Sequence, residues 1–77
     1  MSVAEQAKAI YLAEYREQLE AERFGDFVAI EPESRDSFVA ATFIDAALAA
    51  KDRYPSRTSF VIRIGYEAAV HIGAATK

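Results

Sequence analysis

The sequence predicts a small α+β domain in the order α-β-β-α-β-β, with a mostly antiparallel sheet and both helices on one of its faces. Three observations carry this reading. Val-, Ile- and Phe-rich runs of four to seven residues alternate with turn-forming segments, which is the signature of short strands. Two longer stretches, opening at Ser2 and Thr42, combine a capping residue with helical apolar spacing. Gly25, Pro32, Pro55 and Gly65 fall between these stretches, where they punctuate the chain.

Ser2 followed by Glu5 forms a capping-box pattern, so the first helix starts at Val3. Ala4, Tyr11, Leu12, Tyr15 and Leu19 fall on one side of it, and the helix ends near Arg23, with Gly25 placed to leave through a left-handed conformation. Val3, Ala7 and Ile10 form a second apolar stripe, rotated from the first, which is read either as partly buried against a neighbouring loop or as a contact between copies. Phe27–Ile30 is the first strand. Pro32 ends it by Glu31, since proline has no N–H for the ladder, and the acidic turn from Glu33 to Asp36 is expected in solvent.

The second strand spans Ser37–Ala41. Thr42 caps the next helix, with Asp45 at its third position. Phe43, Ala46, Ala47 and Ala50 share its inner side while Leu48 and Lys51 turn away, and the helix stops at or before Tyr54, ahead of Pro55. Thr58–Ile64 is the third strand, with Phe60 and Ile62 read as core. Ala69–Ile72 is the fourth, returning after a turn at Gly65–Glu67. The face opposite the helices is expected to remain partly open, with Phe27 and Val61 on it as a second candidate interface between copies.

The chain has 77 residues, which allows a single domain, 1–77, with a core close to the lower limit for a chain folding alone. Help from a partner copy follows, and a two-fold homodimer is the expected form. Nine Lys and Arg against twelve Asp and Glu give a net charge of −3, which disfavours a general nucleic-acid-binding role. Absence of cysteine removes a disulfide framework, a thiolate metal site and a cysteine nucleophile, and suits the cytoplasm. No 18-residue apolar run or signal-peptide pattern is present, so no membrane association is expected.

Chemistry has few starting points. A lone histidine, His71, cannot build a zinc site, and Glu31, Glu33 and Asp36 do not have calcium-loop spacing, so no metal and no cofactor are expected. The serines lack a nucleophile-elbow setting, and Gly25, Gly65 and Gly73 are too dispersed for a phosphate loop. No catalytic residue is assigned and the chain is read as a non-enzyme. Arg57, Arg63, Tyr66 and His71 are the candidate ligand-binding residues, a weak basic cluster suited to a small anion or RNA.

From Gly25 onward the chain resembles small bacterial proteins grouped only as a domain of unknown function. Gly25, Phe27, Val28, Ala29 and Ile30 match the opening aromatic-Val-Ala-Ile strand of that pattern, and Arg63, Ile64, Gly65 and Tyr66 its closing strand end. The resemblance spans about two thirds of the chain. It implies a shared fold and brings no activity and no catalytic residue. The strand, acidic turn, strand and helix order also resembles part of the double-stranded-RNA-binding-like fold of some toxin-neutralising proteins, which implies a regulatory role among the many such a scaffold can host. The expected function is a non-enzymatic protein-interaction or regulatory module acting as a homo-oligomer or on another protein. The alternative is a binder of a small anionic ligand or RNA.

Overall fold

The structure, a computed structural model, describes residues 2–66. It is α+β: a long N-terminal helix, a β-hairpin, a second helix and a third strand. Strands β1 (Phe27–Glu31), β2 (Asp36–Ala40) and β3 (Phe60–Arg63) form an antiparallel sheet in the order β2-β1-β3. The predicted fourth strand, Ala69–Ile72, lies outside the described residues.

The N-terminal helix consists of α1 (Val3–Ile10), a π-helical turn (Tyr11–Tyr15) and α2 (Arg16–Glu22). Both halves of the expected capping box form: Glu5 N–H donates to Ser2 Oγ at 3.1 Å, and Ser2 N–H to Glu5 Oε1 at 3.0 Å. Gly25 adopts φ 91° and takes the chain out of the helix, and its N–H donates to the Ile64 carbonyl at 2.9 Å. In the second long helix, α3 (Phe43–Arg53), Asp45 N–H donates to the Thr42 hydroxyl at 3.1 Å, as the capping pattern implies.

The helices lie on opposite faces of the sheet, not on one. Val28, Ile30, Ile62 and Ile64 meet Ala7, Ile10 and Tyr11 of the N-terminal helix, with Tyr15, Leu19, Val39 and Phe60 at the margin. On the other face Ala29 meets Ala46 and Ala50 of α3, flanked by Phe27, Phe38, Ala40 and Val61. The reason is in β1, whose two faces are both apolar. A central strand of that kind needs cover on each side, and small alanines let α3 sit close to one of them.

This placement corrects the reading of the Val3, Ala7 and Ile10 stripe. Ala7 and Ile10 are buried in the core of a single chain, as is Tyr11. The π turn explains why the stripe and the Tyr15–Leu19 side look separate in the sequence. Val3, Ala7, Tyr11, Tyr15 and Leu19 recur every four residues. In an unbroken α-helix such a row drifts by about 40° per step, since each residue turns about 100°. The π turn accommodates one extra residue and returns the row to the face it started on. Deletion of the exposed Ala13 therefore should convert the turn to regular α-helix with Ile10, Tyr11, Tyr15 and Leu19 still facing the sheet. The melting temperature followed by circular dichroism is expected to stay within a few degrees of wild type, which is a shift of about 1 kcal/mol or less. A loss large enough to prevent folding would show that the π turn is required in its own right.

Candidate functional site

Outward from α3, two of the residues opposite the buried Ala46 and Ala50 are large and apolar where a solvated helix would be polar. Leu48 is 60% exposed and Ile44 64%; Phe43, 55% exposed, lies instead on the inner side of the helix, towards the sheet. Helix geometry places Leu48 diametrically opposite the midpoint of Ala46 and Ala50, with Ile44 one turn before it on the same side. Phe43 is steadied by an edge-on contact with Phe27, ring centroids 6.3 Å apart. Asp45, Lys51 and Asp52 rim this surface and form no ion pair among the described residues.

The second feature is the tip of the β1–β2 hairpin. Glu31 occupies the face of β1 that α3 covers and is 1% exposed. Its carboxylate accepts from Glu33 N–H at 2.9 Å, Ser34 N–H at 2.8 Å and Arg57 Nη1 at 3.1 Å. Burial pushes this carboxyl up, but hydrogen bonds from the Ser34 side chain, the Glu33 and Ser34 backbone and Arg57 outweigh it and lower the pKa to about 2. Arg57 is raised in turn, chiefly by its bond to Glu31, and also approaches Glu33 at 3.6 Å. Arg35, the non-glycine residue at φ 65°, closes the turn; Tyr15 Oη donates to its carbonyl at 2.6 Å and Glu14 holds its guanidinium.

The predicted ligand-binding residues do not gather into one cluster. Arg57 lies by the Glu31 end of β1, whereas Arg63 pairs in register with Phe27 at the opposite end. Arg57 is already matched by two carboxylates and stacks over Tyr54, 5.2 Å from the ring centroid. Arg63 and Tyr66 do come together: the guanidinium sits 4.2 Å from the Tyr66 ring centroid and 5.4 Å from that of Phe27, and Nε donates to the Gly25 carbonyl at 3.2 Å. His71 lies outside the described residues.

Among the predicted interface residues, Ala7 and Ile10 are buried under the sheet and Val3 is half-buried beside them. Phe27 and Val61 are half-buried beneath α3, so that face is not open. Sequence reasoning missed the buried Glu31, which alternation from Phe27 and Ala29 does place on the same face. It saw Leu48 turning outward but gave that face no role.

Among the described residues no group of His, Asp or Glu is arranged to hold a metal ion, and no helix is long and apolar enough to cross a membrane. No protein-family model, curated protein or solved structure matches the chain.

Proposed function

We propose that this protein is a non-enzymatic interaction or regulatory module of the cytoplasm, acting through the outer face of α3. The observation that carries the reading is the exposure of Ile44 and Leu48 on a helix whose inner side is already filled by its own sheet. Large apolar side chains grouped on one helical face, rimmed by charges, suit a partner that covers them. The buried carboxylate supports the same reading, since Glu31 is committed to the hairpin and Arg57.

A binder of a small anionic ligand or RNA is the second reading. It now rests on Arg63, which lies between two rings and has no carboxylate partner among the described residues. Copurification from the native host separates the two. A stoichiometric protein retained by wild type and lost from Leu48→Glu supports the interaction module. Nucleic acid that copurifies with both, and is released with a steep salt dependence, supports the second reading.

A further inference from the structure

We propose, resting on the interaction reading above, that α3 pairs with α3 of a second copy, the two helices parallel about a two-fold axis. Leu48 and Ile44 form the seam, and Lys51 of each copy pairs with the partner's Asp52. Symmetric pairing of one surface with itself is the commonest way small chains bury such a patch.

The charges around the patch select the orientation. Taking Leu48 as the outward direction, each residue turns the helix by about 100°, so Ile44 and Lys51 fall on one flank and Asp45 and Asp52 on the other. In an antiparallel pair, same-flank residues at mirrored heights meet, which brings Asp45 against the partner's Asp52, a like-charge contact. In a parallel pair, opposite flanks meet at equal height. Lys51 then faces the partner's Asp52, twice over by symmetry, while Ile44 and Leu48 face their own copies. Asp45, Lys51 and Asp52 are exposed and have no ion pair within the described chain, so all three are free to act across the seam.

Two eleven-residue helices bury much less than the roughly 800 Å² per partner of a standard interface, so the dissociation constant is expected at about 10 to 100 µM. Sedimentation equilibrium of the full chain from micromolar to about 1 mM tests this, the upper limit being set by that affinity range. The expected result is a shift from 8.5 kDa towards twice that mass. Leu48→Glu should stay monomeric throughout with an unchanged circular dichroism melt, because the side chain already faces water. Asp52→Lys and Lys51→Asp should each weaken association by roughly tenfold, and an equimolar mixture of the two should recover it.

Tighter association of Asp52→Lys overturns the parallel arrangement, since that change would repair the antiparallel one. A Leu48→Glu variant that still dimerises overturns the use of this surface for self-pairing. Wild type remaining at 8.5 kDa up to the highest concentration overturns self-pairing altogether. It would leave α3 to a different protein, a reading that only the copurification comparison can defeat.

Discussion

Ile62→Ala should lose about 2 to 5 kcal/mol of stability, enough to leave much of the population unfolded at room temperature. Ile62 is 2% exposed, pairs in register with the fully buried Val28, and packs in the cluster formed with Ala7, Ile10, Tyr11, Ile30 and Ile64. Truncation leaves a cavity between the N-terminal helix and the sheet, and neither side can collapse into it without moving the other. A domain this small typically has about 5 kcal/mol or a little more in hand, so the loss is close to the whole. Urea denaturation followed by circular dichroism gives the value; the chain has no tryptophan to report by fluorescence. Phe60→Ala should lose less. Phe60 shares the face of Ile62 but sits at the margin of the cluster, half-buried, with Lys8 Nζ over its ring at 5.9 Å. A loss from Ile62→Ala below about 1 kcal/mol, the range of surface changes, would contradict the core described here.

Phe60 and Ile62 also show what a sequence makes legible and what it does not. Alternation correctly gave them one face, because period two is a property of the strand alone. How deep each lies depends on where the N-terminal helix ends its contact with the sheet, which is a tertiary fact. The caps at Ser2 and Thr42, the glycine exit at Gly25 and the halt of α3 before Tyr54 were legible for the same reason, each being a local backbone requirement. The N-terminal helix misled because the constant 100° per residue fails across Tyr11–Tyr15, although the unbroken spacing of four from Val3 to Leu19 signals that something must reset the phase. Assigning both helices to one face was an error of layer assignment. With Phe27 and Ala29 on one side of β1 and Val28 and Ile30 on the other, the strand itself called for two covers.

The site was less legible than the fold. Arg63 and Tyr66 meet because Gly65, at φ 88°, turns the chain sharply after β3; an added Cβ there would lie 2.4 Å from the Phe24 ring. Arg57 was drawn away by Glu31. A carboxylate beside a proline in an acidic turn has the composition of a solvated tip, and only the folded turn, whose Glu33 and Ser34 N–H groups close on it together with Arg57, makes its position an interior one.

Glu31→Gln should destabilise the chain by about 1.5 to 3 kcal/mol at pH 7, the usual size for a hydrogen-bond network built on a charged acceptor. The carboxylate receives two backbone N–H groups and Arg57, and an amide can offer only one acceptor oxygen, turning its NH₂ towards donors. The pH dependence separates this from a mere packing change. The Glu31 pKa falls from 4.5 to about 2 on folding, so its contribution is fully present above 4.5 and is lost as pH drops from 4.5 towards 2. Its size is on the order of 2 kcal/mol once screening by water on the Arg57 side is allowed for. The groups facing Glu31 are Arg57, which stays charged throughout, Glu33 across the same guanidinium, and Asp36 at its paired position on β2, where Tyr54 Oη donates to the Asp36 carboxylate. Wild type and Glu31→Gln share the last two, so subtracting their urea-derived stabilities at pH 7, 5, 4 and 3 isolates Glu31. The difference should be constant from pH 7 to 5 and shrink steadily below, reaching a fraction of its neutral value at pH 3. A difference that persists unchanged at pH 3 would mean that the carboxylate charge contributes nothing to the hairpin and that the substitution acts through shape alone.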